Sequence, residues 1–396
     1  MKKIKYYSLI LLLPLLTGCY NYRELNELAI TTSVSIDYSD NNFNVIAEVV
    51  NPTKQQDAIS ANNSPFVNYY STAPSLQEAF RNIVLESPRQ LYAAQLEMII
   101  ISEEAAQNHI AEILEFFSRE TEPRTELKFI IARGKESLKS ITFQTLLTNF
   151  SSSNIIQSLE VQSKVLGLTP VYTLNELLNM YLDPNLEITL PSVIVYGDEE
   201  IGDEKENITT SSPKAITKIG TTAIFKNTEL LGYLEEEDSK ILNIMTGNAS
   251  QSIIKFDYKD NYGVFELHRV KAESSADVKK NTVTIKLKGN AKIKEFHSNA
   301  NIKNIKEIDE INRLLNKIIE EKIKNTFNKI RKEYNTDVFG FRQLYYKTNP
   351  KYYKENYENN WYEEIFPNLE LKTDINLKLY EKGNTLGGVE YESKNK

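Results

Sequence analysis

The sequence predicts an α/β mixed (α+β) fold of more than one domain, with mixed and antiparallel sheets, packed helices and one long amphipathic helix near the C-terminus. Three stretches carry that expectation. Residues 96–132 run strand, helix, strand, which argues for helices packed on a mixed sheet. Residues 252–296 contain long alternating runs, as in an antiparallel sheet with one wet face. Residues 304–334 repeat apolar side chains at helical spacing, in a stripe wide enough to face a core.

The elements follow in order. Tyr22 to Ala29 reads as a short helical or irregular tether. Thr32, Val34, Ile36 and Tyr38 alternate with polar residues, and so do Phe43, Val45, Ala47 and Val49 after the turn Ser39-Asp40-Asn41-Asn42. This is the pattern of a β-hairpin. Lys54 to Thr72 is polar and reads as a loop. Ser75-Leu76-Gln77-Glu78 is a capping box. It opens a helix with Leu76, Phe80, Ile83 and Val84 on one face. Leu96–Ile101 and Leu127–Ala132 are strands of the buried type. Between them, Glu103–Arg119 is a helix that turns Ile110, Ile113, Leu114 and Phe117 inward. A second capping box, Thr173-Leu174-Asn175-Glu176, starts a helix through Tyr181, and Pro191–Tyr196 is a strand.

Composition then changes. Residues 197–214 are acidic and polar with few apolar side chains, which suggests an exposed linker or long loop. Beyond it, Thr222–Phe225 and Leu230–Leu234 flank the turn Lys226-Asn227-Thr228-Glu229. Ser252–Tyr258, Gly263–Val270 and Asn281–Phe296 read as long strands. In the last, Val283, Ile285 and Leu287 face one way and Thr284, Lys286 and Lys288 the other. The helix of about Asn304 to Tyr334 places Ile308, Ile311, Leu315, Ile318, Ile319, Ile323, Phe327 and Ile330 on its apolar stripe. Leu369–Tyr380 is the final strand. The implied division is 1–18, 19–196 (an α/β region that could itself split in two), a linker at 197–214, a C-terminal α/β domain at 215–385 and a frayed tail at 386–396.

The first 18 residues have a separate role. Met1–Lys5 holds three lysines and no acid, and an apolar run from Ser8 to Leu16 precedes Thr17-Gly18-Cys19. A basic start, a short apolar core and a small-residue exit make a secretory signal peptide. The run is shorter than the roughly 20 residues a membrane-spanning helix needs. Leu16-Thr17-Gly18-Cys19 matches a bacterial lipobox, so Cys19 is the expected lipidation site and new N-terminus. Cys19 is the chain's only cysteine, so it has no disulfide partner, and acylation explains it. The folded part is then an ectodomain anchored to the outer face of a membrane. Removing residues 1–18 takes three lysines from a chain of net charge −7, which argues against nucleic acid as a partner.

Chemistry is sparse. His109, His268 and His297 lack metal-ligand spacing, and surface or hydrogen-bonded histidines are the better reading. There is no nucleophile elbow and no phosphate-binding glycine loop. Glu235-Glu236-Glu237-Asp238 reads as a solvated helix start rather than a cation site, since acids there suit the helix dipole. No catalytic residue, metal site or cofactor is indicated. One stretch is rich in aromatics, from Phe339-Gly340-Phe341 through Tyr345, Tyr346, Tyr352, Tyr353, Tyr357, Trp361, Tyr362 and Phe366. Phe339, Phe341, Trp361 and Phe366 read as core, whereas the tyrosines are open between core and a binding surface.

Three sets of residues together resemble the Ger(x)C family of spore germination lipoproteins. The first is Cys19-Tyr20-Asn21-Tyr22-Arg23-Glu24-Leu25 with Asn26-Glu27-Leu28-Ala29. The second is Ile219-Gly220-Thr221-Thr222-Ala223-Ile224-Phe225-Lys226 with Leu230-Leu231-Gly232-Tyr233-Leu234. The third is Asp337-Val338-Phe339-Gly340-Phe341, Asn349-Pro350-Lys351-Tyr352-Tyr353, Asn360-Trp361 and Ile365-Phe366-Pro367. Tyr20 and Tyr233 stand where tryptophan is frequent, and Ile241 where glycine is expected. The resemblance implies a three-domain α/β ectodomain. It also implies a non-catalytic receptor subunit that works with a large A subunit and a polytopic B subunit at the spore inner membrane. A solute-binding lipoprotein of a transporter is the alternative, although such proteins show two similar lobes and the halves here differ. A wall-associated hydrolase would need a nucleophile or metal set that the sequence does not offer.

Overall fold

The computed structural model describes residues 24–51, 64–145, 147–258, 261–296 and 305–381. Cys19, His297 and the 386–396 tail lie outside them. β1 (Leu28–Ser39) and β2 (Asn42–Val50) form the expected hairpin, paired from Thr31↔Val49 to Ser39↔Asn42. Asp40 and Asn41 both take positive φ, 51° and 60°, the two-residue turn whose twist suits a hairpin. β1 starts at Leu28 and a 3-10 turn spans Leu25–Glu27, so the strand takes over the end of the expected tether, whose Tyr22 and Arg23 lie outside the described residues. β3 (Phe66–Ala73) pairs with β2 where the sequence suggests a loop. It is an edge strand that buries only Phe66 and Ala73, too little for periodicity to reveal.

Ser75 caps α1 (Leu76–Asn82), accepting from the Glu78 N–H at 3.3 Å. β4 (Gln90–Tyr92) lies parallel to β1. Next come β5 (Met98–Ser102), α2 (Glu103–Asn108), α3 (Ile110–Arg119) and β6 (Lys128–Ala132). The helix read over 103–119 is therefore interrupted at His109, whose ring packs 3.7 Å from that of Tyr38. Then follow α4 (Ser151–Val165), α5 (Leu174–Leu182), β7 (Thr189–Leu190), β8 (Ser192–Gly197) and β9 (Ala215–Ile219). The first sheet runs β3-β2-β1-β5-β6-β8-β9, and β1, β5, β6 and β8 are parallel neighbours. Both of its faces are covered. Ile99 and Ile101 join the core under α1, α2 and α3, while Met98 and Ile100 join the one with Ile155 and Leu159 of α4. That explains the unbroken apolar run of β5.

Residues 197–214 connect two paired strands of the first sheet. β8 and β9 pair antiparallel across them, from Val193↔Ile219 to Gly197↔Ala215. Asn207 is 1% exposed. Its amide donates to the Ala215 carbonyl at 2.9 Å, and its Oδ1 accepts from the Ala215 N–H at 3.0 Å. This buried amide helps tie down a segment whose composition reads as a linker, and the Gly202 carbonyl, which accepts from the Gln144 N–H at 2.9 Å, adds a second tie.

The chain crosses between sheets at two adjacent points. Pro191 separates β7 from β8, and Gly220-Thr221-Thr222 separates β9 from β10 (Ala223–Lys226). The Gly220 N–H donates to the Ser192 carbonyl at 2.7 Å, and a Cβ on Gly220 would lie 2.4 Å from Ser192 Oγ. Only glycine allows the two crossings to pass so closely. With β11 (Glu229–Tyr233), these strands form a small sheet ordered β11-β10-β7.

The last region comprises α6 (Glu236–Met245), β12 (Ser252–Tyr258), β13 (Asn261–Asp277), β14 (Thr282–Phe296), α7 (Ile305–Glu333), α8 (Phe341–Thr348), α9 (Pro350–Asn356) and β15 (Glu370–Glu381). Its sheet order is β12-β13-β14-β15. β14 and β15 are parallel, so the sheet is mixed rather than antiparallel. The crossover through α7 supplies the length a parallel pair needs. Ile311, Leu315, Ile319, Ile323 and Phe327 of α7 share one core with Val283, Ile285 and Leu287. Among the described residues, no helix is long and apolar enough to cross a membrane.

Candidate functional site

The aromatic stretch that follows α7 folds back against the small central sheet, and a polar network sits at that junction. Asp337 starts it. Its carboxylate accepts from the Phe341 N–H at 3.2 Å and the Arg342 N–H at 2.6 Å, which caps α8. Gly340 precedes that helix at φ 74°, a left-handed conformation glycine adopts without strain. Phe341 then enters the core, and Phe339 stacks on it with ring centroids 5.2 Å apart. The Asp-x-x-Gly-Phe order is therefore a cap, a turn and an anchor. Asn349 repeats the device for α9, accepting from the Tyr352 N–H at 3.2 Å, with Pro350 in the first turn.

The network reaches the central sheet through the loop before β7. Arg342 Nε donates to Tyr353 Oη at 2.7 Å, and that hydroxyl donates to Asn185 Oδ1 at 2.8 Å. Gln343 donates to Asp183 at 2.6 Å, and Thr336 Oγ1 donates to the Phe225 carbonyl at 2.8 Å. Glu187 accepts from the Tyr362 hydroxyl and from the Asn227 N–H in the β10–β11 turn. Lys226 lies 4.4 Å over the Tyr362 ring. Burial holds the Glu187 carboxyl above its ordinary range. Burial, with Glu187 nearby, pushes Asp337 up to about 7. Tyr362 is pushed well upward by burial and then by Glu187, so its hydroxyl stays a donor. The junction holds two parts of the chain in register through neutral and charge-assisted hydrogen bonds.

The open question of the tyrosines resolves toward packing for several of them. Tyr345 and Tyr353 are fully buried, and Tyr345 meets Trp361 edge-on at 5.1 Å. The Tyr345 hydroxyl donates to Asn281 Oδ1 at 3.1 Å, and that of Tyr357 to the Val278 carbonyl at 2.7 Å. Tyr346, Tyr352 and Tyr362 are half-buried against the same core. Trp361 is 1% exposed and Phe366 is fully buried, as read from the sequence.

The other sequence candidates are placed as follows. His109 bonds Glu112 at 3.1 Å, and His268 lies 3.0 Å from Glu266. Glu235–Asp238 does open a helix, α6, but it is not simply solvated. Asp238 accepts from Lys329 at 2.8 Å and Thr326 at 2.7 Å, and Glu237 pairs with Lys322 at 2.6 Å, all on α7. Among the described residues, no group of three or more His, Cys, Asp or Glu is arranged to hold a metal. Ile241 fills the core between α6 and the last sheet, where glycine was anticipated.

Sequence reasoning passed over Glu48. It lies on the polar-looking side of β2 yet is fully buried. It accepts from the Ser151 N–H at 2.9 Å, Ser152 Oγ at 2.6 Å and Thr32 Oγ1 at 2.6 Å. It thus caps α4 from another element, and burial holds its carboxyl above the usual range. Glu187, Asn185 and Arg342 were missed for the same reason: their partners lie 11 to 175 residues away.

Comparison with known proteins accounts for these motifs. Residues 21–195 match the family described as "Spore germination protein N-terminal domain", and residues 220–383 match "Spore germination B3/ GerAC like, C-terminal". Spore germination protein KC of Bacillus subtilis (strain 168) is 24% identical over 383 residues, covering 94% of this chain and 93% of that protein. Spore germination protein GerQC of Bacillus cereus is 21% identical over 327 residues, covering 80% and 83%. The crystal structure of the GerBC protein is similar at a TM-score of 0.48 and 16% identity, over 88% of this chain and 97% of that one. With both its N-terminal and C-terminal parts matched, the chain belongs to the GerAC-type, or Ger(x)C, family of spore germination proteins.

Proposed function

We propose that the chain is a lipid-anchored, non-catalytic subunit of a nutrient germinant receptor. Processing removes residues 1–18, and Cys19 carries the lipid on the outer face of the spore inner membrane. The partners are the A and B membrane subunits of the receptor. The observation that carries this reading is the match of both germination families in order, directly after the lipobox Leu16-Thr17-Gly18-Cys19.

The geometry supports it. Family motif residues such as Asp337, Gly340, Phe341 and Trp361 serve capping and packing, so what they maintain is the shape of the ectodomain. A rigid ectodomain can act by packing on membrane subunits and biasing their conformational equilibrium. Lipidation confines it to their surface and raises its effective concentration there, and two or three acyl chains hold far better than one. Affinity purification from dormant-spore membranes should recover two membrane subunits with it, and mass spectrometry should find an acylated Cys19 at its N-terminus. Recovery with a transporter ATPase and permease instead would favour the solute-binding reading.

A further inference from the structure

The wet face of the last sheet alternates charge along most of its length. Lys286 sits in register between Glu273 of β13 and Asp374 of β15. Lys294 pairs with Glu266 at 2.8 Å, and Lys372 with Glu370 at 3.3 Å. One patch departs from that pattern. Lys271 lies directly opposite Lys288 across β13 and β14. Such side chains stand about 5 Å apart, and like charges there are destabilising. Lys378 lies opposite Asn290, one step along the same face. Arg269 belongs to a β-bulge between His268 and Lys271, at φ 52°. A left-handed arginine is strained, and bulges re-aim side chains next to sites.

Arg269, Lys271, Lys288 and Lys378 share one hollow of about 280 Å³ with Asn290 and Asn376. All four cations are exposed, and among the described residues none makes an ion pair. Glu266, further along β13, is already engaged by Lys294 and His268. Four cations without an ion-pair partner, gathered by a strained bulge on a chain of net charge −7, repel one another, and a bound anion would relieve that repulsion. We infer that this hollow binds a phosphate-bearing anion. Guanidinium and ammonium groups suit phosphate oxygens, and the two asparagine amides add neutral donors. The phosphate group could belong to a soluble phosphate compound or to a lipid headgroup, and the chemistry of capture is the same.

Calorimetric titration of the purified full chain separates the two sources. One arm uses inorganic pyrophosphate and the other uses dihexanoylphosphatidic acid below its micelle concentration. Binding in the first arm alone assigns a soluble anion, and binding in the second alone assigns a lipid headgroup. The double variant Lys271→Gln/Lys288→Gln should bind about tenfold more weakly or worse. Lys286→Gln, on the same strand but flanked by acids, should bind as the parent does. Without ligand the double variant should melt no lower than the parent, because it relieves a like-charge pair, and this shows that loss of binding is not loss of fold. No saturable binding in either arm, or equal binding by parent and double variant, overturns the inference.

Discussion

The first sheet is packed on both faces, whereas the last carries α7 on one face and leaves the other to solvent. The difference shows in what each buries. The first sheet buries Glu48 on the face that α4 covers, with hydroxyls and a helix N-terminus as its partners. The last keeps its lysines on the wet face and buries only apolar side chains of β14 opposite them. A two-sided sheet must satisfy its polar groups internally, since an unpaired buried charge is costly. A one-sided sheet can leave them to water.

The most disruptive test of that contrast lies under the one-sided sheet. Trp361→Ala removes the largest side chain of its core and should cost about 3–5 kcal/mol, enough to unfold a marginal domain. Denaturant midpoints measure this. Because Trp361 is the only tryptophan, its emission in the parent should be blue and resistant to iodide. Red, readily quenched emission would place it at the surface.

Glu48→Ala tests the two-sided sheet. It strips the cap from α4 and leaves the Ser151 N–H buried without an acceptor, so a loss of about 3 kcal/mol is expected. Hydrogen exchange should show α4 amides losing protection while β13 and β14 keep theirs. Glu48→Gln should cost less, because an amide oxygen still accepts from Ser151. Equal losses in both variants would mean that the negative charge itself is required.

A smaller effect separates the junction from both sheets. Asp337 titrates at about 7 in the folded chain, above its ordinary value of 3.8, because it is buried and lies near Glu187. The folded state therefore holds this proton more tightly than the unfolded state. Its contribution to stability is greatest at low pH and falls as pH rises from about 4 to about 7. Asp337→Asn should flatten that part of the stability profile. Glu48 and Glu187 are shifted the same way, so some slope will remain. An unchanged profile would mean that Asp337 is ionised throughout.

The smallest effect belongs to the wet face. Lys372 and Glu370 are both more than half exposed at 3.3 Å. Lys372→Ala should change stability by less than about 0.5 kcal/mol, as urea melts can show.

The same contrast explains how much was legible in the sequence. β14 and α7 could be read because one face of each is apolar and the other polar, so period and burial agree. β5 was readable as a buried strand from its run Met98-Ile99-Ile100-Ile101. α4 was not, because it begins Ser151-Ser152-Ser153-Asn154 with no local cap and takes Glu48 instead. The ties of the 197–214 segment were not legible, because Asn207 bonds Ala215 and the Gly202 carbonyl accepts from the distant Gln144 N–H. At the junction, Phe341 and Trp361 could be assigned to the core from aromatic clustering. Glu187 and Asn185 could not, since nothing near them in sequence marks their partnership with Tyr362 and Tyr353.

The proposed role is service to a germinant receptor from the membrane surface. Its most direct test is a strain in which this receptor is the only one left, so that overlapping receptors cannot mask a defect. Spores lacking the protein should fail to germinate on the receptor's nutrients yet respond fully to receptor-independent agents. Normal nutrient germination of those spores without the protein would contradict the account.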